Sequence, residues 1–140
     1  MATGPHPDYD GGYVLRVDPK TGERKVLYAE VNGRKLSAPN DIVFDKQGGF
    51  YFTDLGKRYS TTRDHGGLYY ALPDGSKVVE MAFPILSPNG CSLSPDEKTI
   101  YVADTEGARL WAFDIVAPGQ LKEKPKFQDR KSTRLNSSHT

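Results

Sequence analysis

Little in this sequence points to a disulfide, a membrane or a polyanion. Cys91 is its only cysteine, so no disulfide forms within the chain and a reducing compartment is permitted. Cys91 falls in an apolar stretch and reads as packing rather than as a reactive thiol. The 19 Lys and Arg nearly cancel the 18 Asp and Glu, leaving a net charge of +1. That balance argues against nucleic acid or a membrane surface as a partner chosen by bulk charge. No apolar run approaches the roughly 18 residues of a spanning helix. No charged-then-apolar leader follows Met1, so the expected location is the cytoplasm. No stretch of useful length carries a helical apolar period, which leaves strands as the expected regular element. The hydrophobic fraction is 36%, and counting the 14 glycines with it brings the chain into the usual globular range.

What is present is a series of short apolar or aromatic runs between turn signals. Strands are expected near 13–18, 25–31, 41–45, 49–53, 67–72, 77–83, 90–93, 99–103 and 109–115. The connectors "DPKTGE", "DKQGG", "LPDGSK" and "SPDEKT" are rich in Asp, Pro and Gly, the residues that tight turns need.

The runs repeat. "SAPNDIVFDKQGGFYFTD" begins at Ser37, and "LSPNGCSLSPDEKTIYVADT" begins at Leu86. Each opens on Pro-Asn, enters an apolar strand, turns, and closes on an aromatic-rich strand ending in Asp. A period of about fifty residues with four strands per unit fits a propeller blade. One blade would run over 41–83. A second would start at 90 with its third strand at 109, and 13–31 would be the outer half of an earlier one. The expected fold class is therefore all-β, a partial propeller of about two and a half four-stranded blades. A closed propeller takes at least about four blades, so the chain reads as incomplete. A small β-sandwich is the alternative.

The last residues form a separate reading. Asp129–His139, within "DRKSTRLNSSHT", resembles a conceptual translation of a sequencing adapter. The expected division is 1–128 as partial propeller and 129–140 as a non-native, disordered tail outside fold reasoning.

In an antiparallel pair, the start of the first strand lies beside the end of the second. Asn40 should thus lie near Asp54, and Asn89 near Asp104. If each strand lines a central channel, Asn40 and Asn89 meet at one mouth, and the segment 55–66 covers it. Amide and carboxylate oxygens there suit Ca²⁺ or Mg²⁺. The competing reading makes each Asn a turn former that bonds its own backbone two residues on. Asp41, Asp54 and Asp104 are candidate substrate-binding residues; the alternatives are that Asp41 ends a hairpin or supports a ligand from behind, and that Asp54 and Asp104 are solvated strand ends. Lys57, Arg58, Arg63 and His65 could meet an anionic or hydroxylated substrate from the covering segment. Trp111, Tyr69 and Tyr70 read as blade packing.

These motifs, together with "GGLYYALPDGS" and "ARLWAFDI", resemble the SMP-30/gluconolactonase/LRE-like family of six-bladed propellers. The resemblance covers Gly11 to about Gly119. It implies a lactone or similar cyclic-ester hydrolase, with one divalent cation, Ca²⁺ above Mg²⁺, Mn²⁺ or Zn²⁺, held by a Glu, two Asn and an Asp. The two Asn fall on Asn40 and Asn89. The Glu and the Asp, which also serves as catalytic base or nucleophile, have no counterpart in this chain, so no catalytic residue is expected within it and the fragment itself is expected to be inactive. The implied partner is a small-molecule lactone or ester, without nucleic acid or membrane. The alternatives are a non-catalytic NHL- or WD-like binding scaffold and a strictosidine-synthase-like propeller.

Overall fold

The protein is described here by a computed structural model covering residues 11–122. The tail at 129–140 lies outside the described residues. Every regular element between 11 and 122 is a β-strand. In chain order these are β1 (Val14–Val17), β2 (Arg24–Tyr28), β3 (Glu30–Val31), β4 (Arg34–Lys35), β5 (Pro39–Phe44), β6 (Phe50–Asp54) and β7 (Lys57–Arg58). They continue with β8 (Arg63–Asp64), β9 (Gly66–Ala71), β10 (Val78–Ile85), β11 (Pro88–Leu93), β12 (Thr99–Asp104), β13 (Arg109–Ala117) and β14 (Gln120–Leu121).

Two four-stranded antiparallel sheets carry the fold, in the orders β10-β9-β6-β5 and β11-β12-β13-β14. β1 and β2 pair as a two-stranded sheet. The three sheets stack, and strand alternation decides which side chain serves which interface. Phe50 and Phe52 of β6, with Tyr69 and Ala71 of β9, pack toward Val14 and Tyr28 of the β1–β2 sheet. Their neighbours Tyr51, Leu68 and Tyr70 pack toward Ile100, Val102, Trp111 and Phe113 of the other large sheet. The inner strands β6 and β9 of the middle sheet are therefore buried on both faces, which is why "FYF" and "GGLYYA" read as continuous apolar runs. Trp111, Tyr69 and Tyr70 are core residues, as expected.

Four of the polar turns are each closed by an Asp. Asp18, Asp45, Asp74 and Asp96 accept bonds from the backbone N–H two residues on, in Lys20, Gln47, Ser76 and Lys98. These are Asx turns, and they fix the hairpins.

Three features were not anticipated. The expected strand over 25–31 divides: β2 ends at Tyr28 and β3 starts a second hairpin with β4. That hairpin turns through Asn32 and Gly33, at φ 53° and 77°, the geometry for which Asn-Gly is suited. The covering segment 55–66 contains its own hairpin, β7–β8. The second large sheet is completed by the short β14.

Candidate functional site

The two Pro-Asn units occupy equivalent places. Asn40 is the second residue of β5 and Asn89 the second of β11. β11 packs against β5 and β6, so the leading strands of the two large sheets are neighbours.

Both units contain the same irregularity. Pro39 pairs with Asp54 and Ile42 with Phe52, so Asn40 and Asp41 stand opposite the single residue Thr53. Pro88 pairs with Asp104 and Cys91 with Val102, so Asn89 and Gly90 stand opposite the single residue Ala103. Each is a β-bulge with Asn as its first extra residue. Such an insertion bends the strand and re-aims a side chain. Pro is tolerated as the opening residue because it owes no ladder hydrogen bond there.

The aspartates that end the paired strands hold these bulges from behind. Asp54 is 3% exposed; its Oδ1 accepts from Ala38 N at 2.7 Å and Gly56 N at 3.0 Å, and its Oδ2 from Ser37 N at 2.7 Å. Asp104 is 1% exposed; its Oδ1 accepts from Ser87 N at 2.9 Å and Gly107 N at 3.2 Å, and its Oδ2 from Trp111 Nε1 at 3.3 Å. The backbone repeats as well, with Leu55 N donating to Ala38 O and Thr105 N to Ser87 O. Sequence spacing placed both aspartates beside the asparagines, and the structure brings them there. Their oxygens, however, are engaged by backbone and indole N–H groups inside the fold.

Asp41 joins the two blades. Its Oδ2 accepts from Cys91 N at 2.9 Å and its Oδ1 from Ile42 N at 2.9 Å. Thr53 completes the tie: its hydroxyl accepts from Asp41 N at 3.1 Å and donates to Asn89 O at 2.6 Å. Sequence reasoning missed Thr53. Only the partner strand's register reveals a threonine opposite a bulge, and that register is not written locally.

The two asparagine side chains differ from all these groups. Asn40 is exposed and Asn89 half-buried. Among the described residues neither side-chain amide takes a hydrogen bond, whereas the four turn aspartates each bond their own backbone. The turn-forming role is thus filled elsewhere by Asp. What the two bulges present is a pair of neutral, hard amide oxygens, the donor type that suits Ca²⁺ or Mg²⁺. The number is short of a site: among the described residues no three His, Cys, Asp or Glu side chains come together. Two neutral donors cover a minority of the six to eight oxygens that Ca²⁺ takes.

Cys91 packs against the core between the two large sheets. Burial, then the nearby Asp41 carboxylate, pushes its thiol up to about 12, so it stays protonated at neutral pH and is inert. Of the covering-segment residues, Arg58 and Arg63 both pair with Glu106, the first in a very short contact and the second at 2.6 Å. Lys57 lies 5.3 Å from the Tyr59 ring centroid, and His65 is exposed.

Residues 9–136 match the family model described as SMP-30/Gluconolactonase/LRE-like region. A gluconolactonase of Zymomonas mobilis is 31% identical over 116 residues, covering 76% of this chain and 32% of that protein. Lactonase drp35 of Staphylococcus saprophyticus is 42% identical over 80 residues, covering 57% of this chain and 24% of that protein. Among solved structures, a gluconolactonase from Xanthomonas campestris superposes with a TM-score of 0.64 at 32% identity, over 81% of this chain and 40% of that one. A further solved chain, 21% identical with a TM-score of 0.63, shares the fold. The chain thus spans two fifths or less of each of these four relatives.

Proposed function

The chain belongs to the SMP-30/gluconolactonase/LRE-like family, and from that membership we propose that it is part of a metal-dependent hydrolase of a sugar lactone or similar cyclic ester. The observation that carries the reading is the pair of matching bulges, each placing at the start of adjacent strands an Asn whose amide takes no hydrogen bond among the described residues. The gluconolactonase and lactonase relatives supply the substrate class.

Asn40 and Asn89 would hold the cation, and a bound cation supplies polarisation of the lactone carbonyl. Asp41 and Thr53 keep the two bulges at a fixed separation. Asp54 and Asp104 hold the backbone behind the donors and keep their own oxygens out of the site. Both oxygens of Asp41, Asp54 and Asp104 accept internal N–H groups, which ties these carboxylates to the protein's own backbone and, for Asp104, to the Trp111 indole. The carboxylates that complete the donor set and activate water would come from outside the described residues.

The test is lactone hydrolysis by the complete protein, followed by proton release, before and after chelation. We expect turnover that chelation abolishes and added Ca²⁺ or another divalent ion restores. A protein that turns over no lactone, or one indifferent to chelator, would defeat the reading.

A further inference from the structure

Arg63 joins the same two blades at the same end. It lies in β8, on the hairpin that follows β6, and its side chain is only 14% exposed. Its Nε donates to Leu86 O at 3.0 Å, its Nη2 to Leu55 O at 3.0 Å, and its Nη1 pairs with Glu106 Oε2 at 2.6 Å. These partners come from three different segments. Leu55 directly follows the lock residue Asp54. Leu86 directly precedes Ser87, whose N–H is held by Asp104. Glu106 belongs to the turn after Asp104 and also pairs with Arg58 of β7.

We infer that Arg63 is a positioning residue: one guanidinium clamps the β7–β8 hairpin across both blades and holds the two Pro-Asn bulges at their working separation. Arg58 is the minor member, because its side chain is 72% exposed and an exposed pair is largely screened. Arg63 is the major one. It is shielded, and its planar fork addresses two carbonyls and a carboxylate at once. A lysine is a point charge on a flexible stem and cannot reproduce that geometry. Sequence reading placed Arg63 among residues that could meet substrate; the structure turns it inward on the protein's own backbone.

The kinetic consequence rests on the lactonase reading, whereas the structural consequence does not. The experiment therefore takes two readouts on the complete protein, for wild type, Arg63→Lys, Arg63→Met and Glu106→Gln. Hydrogen exchange of peptides spanning 57–66 and 86–93 should be about tenfold faster in both Arg63 variants, as local opening predicts, with the two segments rising together. Glu106→Gln should fall between them and wild type. KM for the lactone should rise roughly fivefold while kcat stays within about twofold, and Lys should not rescue it. Faster exchange confined to 57–66 overturns the cross-blade clamp, and so does an unchanged KM or full rescue by Lys. A wild type without lactone turnover would sink the activity reading alone, and the paired exchange of the two segments would still decide the clamp.

Discussion

Thr53 bridges the two Pro-Asn units through a single atom: one hydroxyl accepts from the backbone of the first bulge and donates to the backbone of the second. Asp41 runs parallel to it through Cys91 N. Among the described residues, Asn40 and Asn89 are therefore placed by neighbours, not by side-chain hydrogen bonds of their own. Asp54 is the strongest of these neighbours, since its buried carboxylate serves three backbone N–H groups. A hydrogen bond to a charged group contributes about 1.5–3 kcal/mol, and an orphaned buried donor costs a similar amount. Asp54→Ala should thus lower the unfolding free energy of the complete protein by about 3 kcal/mol or more. KM of the fraction that remains folded should rise as stability falls, because the backbone that leads into the first bulge loosens. Denaturant titration with parallel kinetics checks this; normal stability with a raised KM would make Asp54 a substrate ligand instead of a lock.

At the scale of elements, the strands were legible because the inner strands of the middle sheet bury both faces and so carry dense aromatic and branched residues. The repeat was legible because Pro-Asn recurs at the head of equivalent strands. The bulges were not, since a bulge is a relation between two strands, and nothing in "PND" or "PNG" states how many residues oppose it. The β7–β8 hairpin was missed for another reason: its strands are Lys57–Arg58 and Arg63–Asp64, charged throughout and without apolar alternation. The β3–β4 hairpin did carry a signal, the Asn32-Gly33 pair, inside a run that otherwise reads as one continuous strand. Burial was also hidden, so Asp54 and Asp104 looked like candidates to line an open mouth. The place where β9 begins shows how tightly these elements meet. A Cβ on Gly66 would lie 1.7 Å from Asp54 O and 2.8 Å from Pro88 Cδ, whereas one on Gly90 finds nothing nearer than Asp41 Oδ2 at 3.8 Å. Gly66→Ala should therefore cost about 3 kcal/mol, the upper end of overpacking, because backbone must move. Gly90→Ala should stay within about 1 kcal/mol of wild type. Equal effects of the two on the thermal midpoint would show that the β6–β9–β11 junction is looser than described.

At the scale of the molecule, three stacked sheets with two cores between them carry the fold, and the β3–β4 and β7–β8 hairpins are added to them. The stacking brings Asn40 and Asn89, separated by one blade in sequence, onto adjacent strands. The family match and the TM-score of 0.64 with a solved gluconolactonase place this stack within a propeller. No helix among the described residues is long and apolar enough to cross a membrane. On the proposed reading the repeat has a purpose: the same bulge, built twice, would offer two matched oxygen donors to a cation. Calorimetric titration of Ca²⁺ into the complete protein, beside Asn40→Ala and Asn89→Ala, tests that claim most directly. Loss of a partner one shell further out already costs on the order of 10–100-fold in metal affinity, so loss of either amide should weaken binding by at least that much. The unfolding midpoint should barely move, since among the described residues neither amide holds any other group. Unchanged affinity in both variants would contradict the account and leave the two Pro-Asn bulges as structural turns.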